Sequence, residues 1–245
     1  REATGPGTKT EIRPVHWRFL ATRGVPPEPA VAALIDRITA RFDASLGQRV
    51  GMTETALDGR RNVVRGGEST LGNLIADAMR EATGAEAALI NGGGIRGDKL
   101  FPPGSKLTRR DLMEAVPFGD VTVVLELDGA TLRAALEHGV GLAERQAGRF
   151  PQVSGLRFIW DRAAPPGARV RSVTVGGAPL DPARRYRVAA GAYIAGGGDG
   201  YEMLKSAERI VDTEAGSKVV SQLIDHLLRL SKVSPRIEGR ILEAR

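Results

Sequence analysis

The stretch Ala87-Ala88-Leu89-Ile90-Asn91-Gly92-Gly93-Gly94-Ile95-Arg96 decides the reading of this 245-residue chain. A short apolar run closed by Asn91 and bounded by glycines predicts a buried strand. The three glycines then free the backbone to turn sharply and to aim amide N–H groups at one spot. Such a nest beside Arg96 suits an oxyanion or a hydroxylated ligand, and Asn91 offers both a donor and acceptors. A plain glycine-rich turn with a surface arginine explains the same letters. Gly92-x-Gly94-x-x-Gly97 also matches the dinucleotide fingerprint in form, but that motif must open a helix. Here Asp98-Lys-Leu-Phe-Pro-Pro103 follows instead, which speaks against a dinucleotide site. No G-x-x-x-x-G-K-[ST] is present, so a P-loop is excluded.

Outward from this stretch, strands and helices alternate. Leu71, Leu74, Ile75, Ala78, Met79 and Ala82 form one helix face closed by Gly84. Thr108-Arg-Arg-Asp111 fits a capping box that starts a helix over 112–116. Val121–Leu127 reads as a strand, Asp128-Gly129 as a turn, and Thr131–His138 as a helix. Strands are expected at Leu156–Trp160, Arg171–Val175 and Tyr186–Ala190, the middle one turning at Gly176-Gly177 as a hairpin. Ser217–Leu230 is an amphipathic helix, and Arg236–Glu243 a closing strand. Hairpins mixed with helices predict an α+β fold, a mixed α/β sheet with flanking helices. Residues 1–10 read as a disordered start or linker, Arg13–Thr22 as a strand, and Ala30–Leu46 as a helix ending at Gly47. The expected organisation is a connector over 1–49 and a main domain over 50–245.

Composition sets wide limits. A hydrophobic content of 42% and a charged content of 26% are those of an ordinary globular protein. No run approaches the roughly 18 to 20 apolar residues of a membrane-spanning helix. Cysteine is absent, which excludes disulfides and thiolate metal sites. The net charge of +6 favours anionic partners, and an arginine-rich, merely solvated surface accounts for it equally. The chain starts on Arg1 rather than Met, and the expectation is an excised or processed fragment.

Two further loops carry candidate chemistry. In Gly196-Gly-Gly-Asp199-Gly-Tyr201, preceded by Tyr193, glycines surround one acidic residue. Asp199 can accept two hydrogen bonds from a diol such as ribose, or cap the next helix as an Asx-turn. In Val116-Pro-Phe118-Gly-Asp120, a planar ring at a loop mouth can stack a nucleobase, worth roughly 1–3 kcal/mol per base; a plug under the loop is the alternative. The three histidines, His16, His138 and His226, are isolated. The chain therefore cannot supply the clustered ligands of a two-metal phosphoesterase. No Ser-His-Asp order and no nucleic-acid-binding motif appears.

Taken together, the motifs resemble the C-terminal, substrate-binding domain of the 5′-nucleotidase family, the group of UDP-sugar hydrolase, ecto-5′-nucleotidase and 2′,3′-cyclic phosphodiesterase. The resemblance runs from Gly51 to Leu204. It rests on Glu68-Ser-Thr-Leu-Gly-Asn-Leu74 with Asp77-Ala78, then Asn91–Arg96, then Pro117-Phe118-Gly119. Gly148-Arg-Phe-Pro-Gln-Val-Ser-Gly155, Arg169-Val170 and Gly197-Gly-Asp-Gly-Tyr201 follow in order. The resemblance implies that Phe118 and Tyr193 sandwich the base, Asn91 bonds the ligand, and Asp199 takes the ribose hydroxyls. Arg65 and Arg96 would hold the phosphates. It also implies an N-terminal metallophosphoesterase domain that binds two divalent metals and does the hydrolysis, with Ala30–Leu46 as connector and hinge. This chain would hold no catalytic or metal-binding residue of its own and would hydrolyse nothing alone. Its ligand would be a nucleotide or nucleoside, not nucleic acid, and its location periplasmic or extracellular. A stand-alone, non-catalytic nucleoside-binding module is the alternative. Family members often carry Asn where Asp120 and Gly191 stand here.

Overall fold

The computed structural model describes residues 24–244. The strand expected at Arg13–Thr22, the linker at 1–10 and His16 lie outside them. The chain divides into two compact units, Arg1–Phe42 and Asp43–Arg245. In the first, a helix starts at Pro29, where a missing N–H costs nothing, and runs on to Leu46. The Glu28 carboxylate accepts from the Val31 amide at 2.8 Å, which satisfies a free donor of the first turn. Val31, Leu34, Ile35 and Ile38 form its apolar stripe and are exposed.

The second unit is built on a five-stranded mixed sheet. Its spatial order is Glu208–Val211, Thr122–Asp128, Arg185–Gly191, Ala87–Asn91 and Pro151–Ser154. Arg185–Gly191 and Ala87–Asn91 run parallel; every other neighbour is antiparallel. Ala87–Asn91 is buried along its whole length, and alternation explains how. Ala87 and Leu89 join one core cluster, with Val123, Leu125, Val188 and the Gly129–Val140 helix. Ala88 and Ile90 join the other, with Val124 and Ala189, under the helices Thr70–Thr83 and Val219–Leu230. Side chains of period two thus feed two cores from one strand, so the strand reads as an unbroken apolar run.

A second sheet closes the first core. Its order is Ala178–Pro179, Val170–Val175, Leu156–Trp160 and Ile241–Glu243. The hairpin turn falls at Gly176 and Gly177, both at positive φ, as expected. A three-stranded sheet of Lys232–Val233, Arg49–Thr53 and Lys106–Thr108 flanks the second core. The α+β class is therefore the observed one.

Several local readings change. Asp128-Gly129 is no turn: Asp128 is the N-cap of the Gly129–Val140 helix, its carboxylate accepting from the Thr131 amide at 2.7 Å. The closing strand shrinks to Ile241–Glu243, because Glu238 and Arg240 are drawn into a polar network. In that network Glu68 accepts from the side chain of Asn73 and the amides of Glu238 and Arg240, at 2.7–2.8 Å. Arg240 in turn makes a two-pronged contact with Asp77, at 2.7 and 2.8 Å. The Glu68–Asp77 motif thus ties the C-terminal segment to the Thr70–Thr83 helix.

Candidate functional site

Four loops meet at one edge of the five-stranded sheet, and the strand directions explain why. Ala87–Asn91 and Arg185–Gly191 present their carboxyl ends there, leading into 92–96 and 192–199. Thr122–Asp128 and Pro151–Ser154 run the other way, so their entry loops, 118–121 and 148–150, arrive at the same edge. Carboxyl ends of parallel strands are where open α/β sheets leave a crevice. The crevice here has a volume of about 540 Å³. Ile90, Val116 and Val219 line it as apolar residues, and Arg65, Asn91, Arg96, Phe118, Tyr193 and Asp199 all line it too. The six side chains singled out from sequence are thus brought together.

The Gly92–Gly94 turn works differently from the expected nest. None of the three has a positive φ, and the Gly92 and Gly93 amides donate to the Phe150 and Gly148 carbonyls at 2.7 and 2.6 Å. What the turn needs is the missing side chain. A Cβ on Gly92 would stand 2.2 Å from the Val64 carbonyl oxygen, and one on Gly93 2.9 Å from Gly148 Cα. The glycines let two loops close on each other, which sets Asn91 at the crevice wall.

Asn91 Nδ2 donates to Asp199 Oδ2 at 2.6 Å. The Tyr193 hydroxyl donates to Asp199 Oδ1 at 3.3 Å and accepts from the Asp199 amide at 3.2 Å. Asp199 itself has a left-handed backbone, φ 53°, between Gly197 and Gly200 at positive φ, so the flanking glycines absorb the turn. The Tyr193 ring lies on Gly198, whose Cβ would stand 2.6 Å from three ring carbons. Behind the loop, His138 Nε2 sits 2.9 Å from the Asp199 carbonyl, and Tyr201, fully buried, donates to the Arg149 carbonyl at 2.6 Å.

Phe118 is 60% exposed and Tyr193 54%; the first is therefore no core plug. The Arg96 guanidinium lies 5.0 Å over the Phe118 ring, and its Nε donates to the Gly93 carbonyl at 2.9 Å, so ring and cation hold one another. Arg65 is the residue that follows the one-turn helix Arg61–Val64, at its C-cap. It is buried, and its Nε has no partner among the described residues. Burial, then the positive charges of Arg61 and Arg96, lower its pKa from the ordinary value, with Asp199 opposing. Three cations gathered this way repel one another and are relieved by an anion.

Sequence reasoning missed Asp120 as a lining residue, and Gly148, which lies against Asp199 and Gly93. Oδ1 of Asp120 accepts from the Val121 and Tyr193 amides, each at 3.1 Å. Burial pushes its carboxyl up, against the pull of those two amides. Its position directly after Phe118-Gly119 was the available signal.

A half-buried carboxylate, an acceptor-donor amide, two exposed aromatic side chains and an arginine cluster around one crevice of this α+β domain have the chemistry to hold a planar, hydroxylated anion. The comparisons name its family. The model for the 5′-nucleotidase C-terminal domain matches residues 49–206, well over half the chain, and the chain belongs to that family. Among its relatives, the trifunctional nucleotide phosphoesterase protein YfkN of Bacillus subtilis is 35% identical over 88% of this chain and 15% of its own length. A snake venom 5′-nucleotidase of Naja atra is 32% identical over 91% of this chain and 46% of its own. In the crystal structure of a 5′-nucleotidase precursor from Thermus thermophilus, the fold recurs with a TM-score of 0.78 and 38% identity, over 89% of this chain and 43% of that one. The chain thus spans less than half of each. Among the described residues no three His, Cys, Asp or Glu side chains stand close enough to hold a metal ion, and no helix is long and apolar enough to cross a membrane.

Proposed function

We propose that this chain is the nucleotide-recognition domain of a metal-dependent, 5′-nucleotidase-type phosphoric ester hydrolase. One observation carries the reading: Arg65, Asn91, Arg96, Phe118, Tyr193 and Asp199, from four separate segments, line a single crevice of about 540 Å³. The base lies between Phe118 and Tyr193. The ribose hydroxyls bond Asp199, whose carboxylate Asn91 holds in place at 2.6 Å. The phosphate meets Arg65 and Arg96, which relieves the cluster's repulsion and gives the buried Arg65 Nε an acceptor. Binding by such groups, remote from the reacting bond, is a legitimate share of catalysis when it positions that bond. Two divalent ions, on this reading, sit in an N-terminal metallophosphoesterase domain; no step through a metal falls to the side chains described here. The names of the relatives, nucleotide phosphoesterase and 5′-nucleotidase, support the substrate class.

Calorimetric titration of the chain with AMP, repeated on Phe118→Ala, tests this. Saturable binding is expected, weakened roughly tenfold or more in the variant because one stacking face is lost. Equal affinity in both proteins would refute the aromatic sandwich. The chain alone should release no phosphate from AMP; release that copurified with it and vanished in Arg96→Ala would place the chemistry here after all.

A further inference from the structure

Resting on the nucleotide reading above, we infer that Asp120 is a base-selecting residue, whose free carboxylate oxygen faces the slot between Phe118 and Tyr193 and prefers bases bearing an exocyclic amino group. The argument starts from how the two oxygens differ. Oδ1 accepts from the amides of Val121 and Tyr193, each at 3.1 Å, which uses both of its lone-pair directions. Oδ2 has no hydrogen-bond partner among the described residues, although Asp120 lines the crevice. The carboxylate is therefore anchored by one oxygen and offers the other.

The space for Oδ2 is made by a neighbour. A Cβ at Gly191 would stand 2.3 Å from it, so any side chain there would displace the carboxylate. Gly191 has φ −66°, a conformation open to every residue; its lack of a side chain thus serves the carboxylate and not the backbone. The Tyr193 amide that anchors Oδ1 belongs to the residue whose ring forms one wall of the slot. Clamp and acceptor are thereby held in one register, two residues from Phe118 on the other wall.

A carboxylate accepts and does not donate. Facing a base edge, it forms a charge-assisted bond with an amino group and repels a carbonyl oxygen in the same place. Adenine and guanine carry such an amino group; hypoxanthine carries only a ring N–H and a carbonyl. Ribose and phosphate are identical in AMP, GMP and IMP, so any preference among them reports on the base edge alone.

The test is calorimetry on the native chain, Asp120→Asn and Gly191→Ala with these three nucleotides. In the native chain the tighter of AMP and GMP should exceed IMP by roughly tenfold or more, the size of a charge-assisted hydrogen bond. Asp120→Asn keeps the acceptor for the two amides and turns a donor into the slot, so the ratio should fall to about one or below. Gly191→Ala keeps the charge but displaces it and should lower the ratio as well. If all three nucleotides bind the native chain alike, or both variants weaken all three by one common factor, Asp120 only props the clamp and the inference fails while the nucleotide reading stands. If none of the three binds, the nucleotide reading itself fails, and this inference with it.

Discussion

Two glycines show how differently one missing methyl group acts at this site. A Cβ at Gly92 would meet a backbone carbonyl, that of Val64, at 2.2 Å, and backbone moves only with the elements that carry it. Gly92→Ala should cost about 1–3 kcal/mol, the usual range for overpacking, read as a lower urea midpoint at constant m-value. A Cβ at Gly198 would meet the end of the exposed Tyr193 side chain at 2.6 Å, and a ring there can swing aside. Gly198→Ala should leave the midpoint nearly unchanged yet weaken AMP binding by roughly tenfold, since one stacking wall has moved. A large stability loss at Gly198 and none at Gly92 would reverse the assignment.

Among the elements, the Arg109–Ala115 helix owes its start to the predicted capping box. Asp111 donates its amide to the Thr108 hydroxyl at 3.2 Å, and Asp111 Oδ2 accepts from the Thr108 amide at 3.0 Å. Its last residues lead into Val116, in the wall of the crevice. Thr108→Ala should cost about 1 kcal/mol at neutral pH. Burial pushes the Asp111 carboxyl up, but bonds from Lys99 and from the Thr108 hydroxyl and amide outweigh it and hold it below the usual range. A lowered folded-state value means the contribution is complete above the unfolded pKa of about 3.9 and is lost as pH falls through the folded one. The gap between native chain and variant should therefore narrow in acid; thermal melts from pH 7 down to pH 3 would show it, and a gap constant with pH would count against the cap.

At the largest scale, the C-terminal segment closes as an edge strand of the second sheet, beside Leu156–Trp160, and Arg240 ties it to the first. Arg240, which is buried, binds Asp77 through two nitrogens, the Val153 carbonyl at 3.1 Å and Glu238 at 3.0 Å. Asp77→Ala leaves that guanidinium short of its main partner. Asp77 keeps some solvent access, so the expected loss is about 2 kcal/mol, between exposed and fully buried pairs. Denaturant unfolding would measure it, and a change below about 0.5 kcal/mol would show the pair to be incidental. The crevice lies at the Asn91 end of the Ala87–Asn91 strand, whereas Asp77 bonds Ser154 beside its other end, so AMP affinity should change little in the same variant.

Local chemistry was legible in the letters. The 3.6-residue spacing over Leu71–Ala82, the capping box at Thr108 and the glycine turn at Gly176 each involve residues within a few positions of one another, and each appears in the structure. Asn91, Arg96, Phe118 and Asp199 stood out by their glycine- or proline-bounded loops, whereas Arg65 and the stacking role of Tyr193 came from the family resemblance alone; all six line the crevice. Contacts between distant segments were not legible. Short strands such as Pro151–Ser154 and Glu208–Val211 carry too few residues to show a period. The clash that keeps Gly92 bare comes from Val64 and the one at Gly191 from Asp120, each set by packing between segments. The sequence by itself determined which residues carry chemically useful groups; only the sheet, whose strand directions bring distant loops to one edge, decided that they line one crevice.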